Sequence, residues 1–262
     1  MKAYFHKWHA GDPHYNMAYD EWLLERVGAH PKEIHLRLYS WAEGAITIGI
    51  NQELERAVDS DLVGATPVIR RVTGGRALYH DLSELTYSFA CNLDGGTVGI
   101  AASRSTLYRS ISSALVRFLE AVGVEAAYVK RSSRDFTGRD SFHKAPCFTS
   151  TARYEVTGEA GKIVASAACW RGKSLMQHGS IKIGGIAPHP ALPVAGSAAR
   201  AFSAGVPETL SFAALTDSFE RAFAEEFGLR FTSMDLADDF AAQILQASKT
   251  IRKNPTSTRL YF

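Results

Sequence analysis

The chain has 262 residues, of which 46% are hydrophobic and 21% are charged, and its formal net charge is +2. The 14 Phe, 10 Tyr and 4 Trp residues supply enough core material to exclude a chain that is mainly disordered. Three cysteines in a chain of this size exclude a disulfide scaffold and indicate a reducing compartment. The near-neutral charge argues against a strongly basic nucleic-acid-binding protein.

The N-terminal segment shows no export signal. Its first twenty residues carry Lys2, Lys7, Asp12 and Asp20 and have no apolar central stretch. The longest uncharged run, 183–199, is interrupted by prolines and glycines and is too short and irregular to span a membrane. We therefore expect a cytoplasmic protein that has neither a membrane nor a nucleic acid as a partner.

Hydrophobic periodicity predicts helices and strands that alternate along the chain. Helical spacing is found in four segments, which are 17–27, 105–122, 211–227 and 236–247. Strand-like spacing is found in seven, which are 34–39, 45–50, 68–72, 77–79, 85–91, 154–156 and 162–169. Gly74-Gly75 predicts a tight hairpin turn between the third and fourth strands, and 158–161 predicts another.

The order of these elements indicates a fold class. Strands cluster before residue 185 and helices after residue 208. This order favours a single α+β domain, with a mostly antiparallel or mixed sheet flanked by helices, rather than regular βαβ winding. The C-terminal portion, at about 208–262, is expected to be helical.

The segment 70–81, RRVTGGRALYHD, is the first candidate for a binding site. Two glycines allow a ligand to approach the backbone and expose N–H donors. Three arginines and His80 could meet an anion or a polarised carbonyl group. An ordinary hairpin turn with solvated charges accounts for the same residues.

Cys147 is the strongest candidate for a reactive thiol. Five cations and two acids between residues 130 and 144 give this stretch a local charge of +3. Nearby cations stabilise a thiolate and lower the thiol pKa. The alternative is a buried structural thiol. Cys91 and Cys169 have no comparable surroundings, and we expect both to lie in the core.

Lys162 and His178 are candidates of a weaker kind. Lys162 opens a strand of small residues that leave room for a ligand, although an exposed lysine without a function accounts for it equally well. His178 is ambiguous in the same way. The nine histidines show no metal-ligand spacing, and the sequence has no CxxC, HExxH, P-loop or GxGxxG motif, so no metal site is expected.

An ordered set of segments resembles the lipoate–protein ligase and octanoyltransferase family, which shares a catalytic domain with biotin–protein ligases. The matching segments are 17–21, 36–41, 48–52, 70–81, 84–88, 161–163 with 166–167, and 177–181. Together they cover roughly residues 15–225. The resemblance implies a biotin/lipoate protein ligase-like catalytic domain, which is similar to class II aminoacyl-tRNA synthetases.

Within this family the sequence is most similar to the cysteine-dependent octanoyltransferases. Arg76 stands where ATP-using ligases usually carry a third glycine. Cys147 lies in a Pro-Cys-Phe segment, and Lys162 follows it after 162 − 147 = 15 residues, as in that subfamily. The chain departs from the family at Ala165 and Ala168, where glycine and glutamine are usual.

The resemblance implies a reaction and a set of site residues. Cys147 would take an octanoyl group from octanoyl-acyl carrier protein, assisted by Lys162, and pass it to a lysine of a lipoyl domain. The acceptor would be a 2-oxoacid dehydrogenase subunit or the glycine cleavage H protein, and no cofactor would be needed. The implied substrate-binding residues are Arg71, Thr73, Gly74, Gly75, Arg76, His80, Ser166, Ala167, His178 and Gly179.

Three other functions stay open from the sequence. An ATP-dependent lipoate–protein ligase would require ATP and Mg, and would place Arg70, Arg71 and Lys162 on phosphate and carbonyl groups. An octanoyl amidotransferase would take its acyl group from H protein and deliver it to dehydrogenase subunits. A non-catalytic protein would bind acyl groups or lipoyl domains without reaction.

Overall fold

A computed structural model describes residues 1–7, 10–95, 103–130, 154–159, 161–182, 189–192, 210–234 and 238–256. In these ranges the helices are α1 (Pro13–Ala29), α2 (Leu54–Ala57), α3 (Arg104–Ala121), α4 (Phe212–Phe227) and α5 (Asp238–Lys253). The strands are β1 (Lys2–His6), β2 (Ala10–Gly11), β3 (Glu33–Trp41), β4 (Ala45–Ile48), β5 (Val68–Arg70), β6 (Leu78–His80), β7 (Leu85–Asn92), β8 (Ala127–Tyr128), β9 (Val156–Gly158), β10 (Gly161–Arg171), β11 (Ser174–Ile181) and β12 (Phe231–Ser233).

The described strands form one large sheet and one small sheet. The large sheet has the order β12-β1-β3-β7-β11-β10-β9-β8, with β2 paired to β3, and the small sheet has the order β5-β4-β6. Strand β1 lies parallel to β3 and β12, whereas β3, β7, β11, β10, β9 and β8 pair antiparallel in turn. The predicted mixed sheet flanked by helices is therefore confirmed.

Helices cover both faces of the large sheet. On one face, Phe219 and Phe223 of α4 pack against Tyr87 and Phe89 of β7 in a cluster that also includes α3. On the other face, α1 and α5 pack against alternate residues of the same strands, such as Ala90. Each fully buried Phe contributes roughly 1.5–3 kcal/mol of apolar burial, so these two layers hold the sheet between them.

Helix α1 begins at Pro13, four residues before the predicted start. The Asp12 carboxylate accepts hydrogen bonds from the backbone N–H groups of His14 and Tyr15, and Pro13 has the backbone angle that a first helical residue requires. The periodicity missed this turn because its buried face carries polar side chains such as Asn16. The predicted α4 needs almost no correction, since Ser211 caps it and Gly228 ends it with φ +62°.

The predicted hairpin between 68–72 and 77–79 is wrong. Strands β5 and β6 both pair with β4, the first parallel and the second antiparallel, so β4 lies between them. The Arg71 side chain closes the intervening loop by donating to the carbonyl oxygens of Gly74 and Arg76 at 2.7 and 2.9 Å. The second predicted hairpin is confirmed, because Gly158 and Gly161 pair across the end of β9 and β10.

The separation of strands and helices along the chain is less complete than predicted. Strand β12 lies between α4 and α5 and pairs with β1 at the sheet edge, so the portion after 208 is not wholly helical. The strands β2, β8, β11 and β12 were not among the predicted elements. Strand β11 forms a hairpin with β10, whereas β2, β8 and β12 pair with strands that are distant in sequence, and periodicity within a short segment carries no signal of such pairing.

Candidate active site

A cleft of about 420 Å³ lies between the small sheet and the large sheet. Apolar side chains from four elements contribute to its wall, among them Met17, Tyr39, Leu78 and Ala165. Seven of the ten residues predicted to bind substrate also line it, and these are Arg71, Gly75, His80, Ser166, Ala167, His178 and Gly179.

Two glycines keep the cleft open. Gly75 has φ +94°, a conformation that favours glycine, and a Cβ atom there would lie 2.8 Å from Nη2 of Arg71. A Cβ atom on Gly179 would lie 2.6 Å from a ring carbon of Tyr87 and 2.9 Å from Oγ of Ser166. Any side chain at either position would push these neighbours out of place.

A fully buried carboxylate, Asp20, organises the α1 side of the cleft. It accepts hydrogen bonds from Arg37 Nη1 at 3.0 Å, Tyr39 Oη at 2.9 Å and Ser88 Oγ at 2.5 Å. Its Oδ2 atom also lies 2.7 Å from Nδ1 of His178. Burial alone would raise the pKa of Asp20, but the hydrogen bond and charge of His178 and the charge of Arg37 lower it below its ordinary value.

His178 connects Asp20 to the loop 71–77 between β5 and β6, which we call the glycine loop. Because an ionised carboxylate only accepts hydrogen bonds, the imidazole donates to Asp20 through Nδ1. Its Nε2 atom lies 2.7 Å from Oγ1 of Thr73, and Nε of Arg71 donates to the same hydroxyl oxygen at 3.1 Å. In the neutral imidazole, Thr73 therefore donates its proton to Nε2 and accepts from Arg71.

A second series of hydrogen bonds reaches Arg71 through His80 and Thr47. Nδ1 of His80 lies 2.5 Å from Oε1 of Glu84, and Nε2 lies 2.8 Å from Oγ1 of Thr47. Nη1 of Arg71 donates to that hydroxyl at 3.2 Å. Burial lowers the pKa of His80, so its neutral imidazole donates to Glu84 and accepts from Thr47 at neutral pH.

The buried Glu84 carboxylate is paired with a buried cation. Its other oxygen accepts a hydrogen bond from the Lys182 ammonium, which is also fully buried. Burial alone would raise the pKa of Glu84, but the charges of His80 and Lys182 lower it to about 2. The Trp41 ring stacks on His80 with centroids 4.0 Å apart and fixes the imidazole plane. The two imidazoles that line the cleft are thus each held by a buried carboxylate.

The arginines predicted to face an anion are engaged with the protein itself. Nη1 of Arg70 donates to the carbonyl oxygens of Gly49, Ile50 and Gln52, at 2.9, 3.2 and 2.6 Å. Arg71 bonds two hydroxyls and two loop carbonyls, as described above. Both side chains hold the loop in place in this conformation. The remaining predicted residues, Thr73, Gly74 and Arg76, belong to that loop but are not part of the cleft wall.

Lys162 is buried, so it is not the exposed lysine that the sequence left as an alternative. Its side chain is 3% exposed, and Nζ donates to Oε1 of Glu155 at 2.6 Å. It opens β10, three residues before Ala165 in the cleft wall. Its predicted partner Cys147 lies outside the described residues, as does most of the basic segment 130–144.

The two described cysteines are poor nucleophiles. Burial raises the pKa of the Cys91 thiol to about 12. Burial and the charge of Glu21 raise the pKa of the half-buried Cys169 thiol. Neither forms a thiolate at neutral pH, and both pack with core residues as predicted.

Sequence reasoning did not assign a role to four residues that hold the site together. Asp20 and Glu84 stand in segments that matched the family, and a charged residue within a predicted helix or directly before a predicted strand is the signal that could have found them. Thr47 carries no such signal, because its partner His80 is 33 positions away, whereas Glu155 stands only seven residues before its partner Lys162.

In the part of the chain that the structure describes, no group of three or more His, Cys, Asp or Glu side chains is arranged to hold a metal ion. No helix in the same residues has the length and apolar character needed to cross a membrane.

Comparison with known sequences identifies curated relatives. Octanoyltransferase LipM of Macrococcus caseolyticus is 36% identical over 178 residues, which is 66% of this chain and 63% of the relative. Octanoyltransferase LipM of Clostridioides difficile is 36% identical over 168 residues, which is 63% of this chain and 60% of the relative. The chain therefore spans less than two thirds of the length of these relatives.

Comparison with solved structures and with protein families agrees with this result. A lipoate-protein ligase A bound with ATP superposes with a TM-score of 0.73 at 19% identity, covering 100% of this chain and 98% of the other. A bi-partite lipoate protein ligase from Thermoplasma acidophilum, studied with its E2 lipoyl domain, gives 0.69 at 19% identity, covering 100% and 96%. These two show the shared fold.

The lipoyl protein ligase A/B catalytic domain matches residues 12–187, more than half of the sequence, and the chain belongs to that family.

Proposed function

We propose that this chain is a protein N-octanoyltransferase that moves an octanoyl group to a lysine of a lipoyl domain. The observation that carries the proposal is the cleft, in which seven predicted substrate-binding residues converge beside apolar side chains. An octanoyl chain has about seven methylene or methyl groups, and burying them yields roughly 5 kcal/mol at ~0.8 kcal/mol each. The 36% identity to LipM octanoyltransferases supports the same acyl group.

The reaction proceeds through Cys147 in two acyl transfers. The Cys147 thiolate attacks the thioester of octanoyl-acyl carrier protein, the carrier thiol leaves, and the acyl group stays on sulfur. The acceptor lysine then forms the amide, and its proton restores the Cys147 thiol. Lys162, held by Glu155 at the start of β10, supplies the positive charge that favours the thiolate.

The engagement of the arginines favours a reaction without a nucleotide. A ligase would need cations on the phosphates of an acyl-adenylate, yet Arg70 and Arg71 donate to carbonyl and hydroxyl oxygens of their own chain. Conversion of a thioester to an amide runs downhill and needs no ATP. The proposal therefore includes no cofactor, with lipoyl domains of 2-oxoacid dehydrogenases or the glycine cleavage H protein as acceptors.

The test compares acyl donors on one apo-lipoyl domain. We expect octanoylation from octanoyl-acyl carrier protein without nucleotide, and loss of it in Cys147→Ala but not in the matched Cys169→Ala. Activity that requires octanoate, ATP and Mg and survives Cys147→Ala would replace the proposal with a ligase. Transfer only from octanoyl-H protein would make the chain an amidotransferase, and binding without turnover would make it a non-catalytic binder.

A further inference from the structure

A second cavity, of about 620 Å³, lies on the other face of the β10–β11 hairpin from the cleft. Neighbouring residues of a strand point to opposite faces, so His178 faces the cleft and Gln177 faces the second cavity. Ser166 and Ala167 line both spaces. We call this second space the rear cavity, and its other walls are Tyr108, Ser112, Tyr154, Glu155 and Ala168.

The rear cavity contains a buried hydrogen-bond acceptor that has no partner. The Gln177 side chain is buried, with the residue 4% exposed, and its Nε2 donates to Oη of Tyr87 at 2.8 Å. Its Oε1 atom is buried without a hydrogen bond. A buried acceptor left in this state costs free energy, which a ligand that brings a donor would recover.

The reason for the missing partner is the residue across the strand pair. Ala168 of β10 lies directly opposite Gln177 of β11, and directly opposite residues in an antiparallel pair project on the same face. A methyl group cannot donate a hydrogen bond and leaves open space.

The polar groups around the rear cavity favour a ligand that donates hydrogen bonds. The hydroxyl of Ser112 donates to main-chain carbonyls, and the hydroxyl of Tyr108 accepts from Nε1 of Trp170 at 2.6 Å. Glu155, whose Oε1 accepts from Lys162, adds a carboxylate to the same wall. The rings of Tyr108 and Tyr154 suit an alkyl chain that ends in an amine or ammonium group.

We propose that the rear cavity receives the side chain of the acceptor lysine, with its nitrogen donating to Oε1 of Gln177. This inference rests on the proposed function and assigns the amine a route separate from that of the acyl chain. Ser166 and Ala167 line both spaces, so the amine approaches the acyl chain from the side of the rear cavity. The N–C bond forms as the bond from the acyl carbonyl carbon to Cys147 Sγ breaks, and the amine proton passes to the sulfur.

The first experiment separates the two half-reactions. Octanoyl-enzyme is prepared from octanoyl-acyl carrier protein, and its transfer to N-acetyl-lysine methylamide is then followed by intact mass. Ala168→Leu adds three carbons to the rear cavity directly opposite Gln177, so we expect transfer to slow by about tenfold while formation of the acyl-enzyme changes by less than about twofold. Ala213→Leu, on the exposed face of α4, is the matched control and leaves both rates unchanged. Unchanged transfer in Ala168→Leu, or equal slowing of both half-reactions, would overturn the inference.

A binding measurement tests the rear cavity without any acyl-enzyme. The resting protein is titrated with N-acetyl-lysine methylamide while the indole N–H resonance of Trp170, which is bonded to Tyr108, is recorded. We expect a saturable shift that needs about tenfold more ligand in Ala168→Leu than in Ala213→Leu. Absence of a shift overturns the inference even if the enzyme transfers octanoate. A saturable shift in a protein that forms no acyl-enzyme would instead reject the proposed function and keep the amine site.

Discussion

Thr73 and His178, which are 105 positions apart in the sequence, meet at 2.7 Å between Oγ1 and Nε2. This contact joins the glycine loop to the α1 side of the cleft, because His178 is bonded to Asp20 and Thr73 is bonded to Arg71. Arg71 links the same loop to Thr47. Two series of buried hydrogen bonds, one through Thr73 and one through Thr47, therefore meet at the guanidinium of Arg71 beside the cleft.

Removing the Thr73 hydroxyl is expected to destabilise the protein. Thr73→Val has nearly the same shape but leaves Nε2 of His178 facing a methyl group and removes one of the two acceptors of Arg71 Nε, the other being the carbonyl oxygen of Gly74. We expect the free energy of unfolding to fall by about 2–3 kcal/mol, which is the usual cost of removing the hydrogen-bond partner of a buried polar or charged group. Thr73→Ser keeps the hydroxyl and should lose less than about 1 kcal/mol. Denaturant unfolding measures both, and equal stability of the Val variant and the wild type would refute the role of this contact.

Stability is expected to fall on acidification, first through buried histidines. Burial lowers the pKa values of His6, His35 and His80 below the ordinary value of 6.5. As the pH falls below about 6.5, the unfolded chain therefore takes up protons that the native state refuses, and the free energy of unfolding decreases. Denaturant unfolding at a series of pH values measures this, and a stability that stays constant from about pH 7 to pH 5 would contradict it.

A second loss of stability is expected at lower pH, from buried carboxylates. The pKa of Glu84 is lowered to about 2, so its contribution is complete above the pKa of the unfolded chain, near 4.5, and is lost as the pH falls towards 2. Glu84→Gln should flatten this part of the profile and lower stability at neutral pH by about 3–5 kcal/mol, because Lys182 loses the nearer of its two carboxylate partners, the other being Asp81. Glu53→Gln, at an exposed position, is the control and should leave the profile unchanged.

Filling the cleft is expected to change the preference for acyl-chain length. Ala165 is buried in the cleft wall, and Leu at this position adds three carbons to the space proposed for the octanoyl chain. We expect Ala165→Leu to lower kcat/KM for octanoyl donors by about tenfold or more and to affect butanoyl donors much less. The exposed Ala213→Leu variant should match the wild type with both donors. Equal losses for the two chain lengths would place the acyl chain elsewhere.

Removing the Lys162 charge is expected to slow the reaction of Cys147 with an alkylating reagent at neutral pH. Cationic neighbours raise the thiolate fraction, so Lys162→Ala should reduce the alkylation rate by about tenfold. Cys91 and Cys169 do not interfere, because their pKa values are raised. Lys173→Ala, which removes an exposed lysine, is the control. An unchanged rate in Lys162→Ala would remove its proposed role.

Regular helices and strands with local signals were predictable from the sequence. Helix α4 was placed to within one residue, since its Phe side chains recur every three or four positions and Ser211 and Gly228 mark its ends. The order of β5, β4 and β6 could not be predicted, because the Gly74-Gly75 pair is typical of a hairpin turn and gives no sign that β4 lies between the other two strands. Which strand pairs with which depends on contacts between distant segments.

The candidate site was predictable as a set of residues but not as a network. The glycine loop, Ser166, Ala167 and His178 were singled out from motifs, and the fold brings most of them to one cleft. Arg71 was expected to face a ligand, and instead it holds the loop. Its partner Thr73 is only two residues away, but Thr47 and the carboxylate of Asp20 belong to other elements, so a short segment could not indicate the network as a whole.

Intact-mass analysis of the protein mixed with octanoyl-acyl carrier protein, without nucleotide, is the most direct test of the central claim. We predict one octanoyl group per chain, mapped by peptide analysis to Cys147, absent in Cys147→Ala and retained in Cys169→Ala. Unmodified protein that nevertheless octanoylates a lipoyl domain, or an adduct on any residue other than Cys147, would contradict the proposed cysteine mechanism.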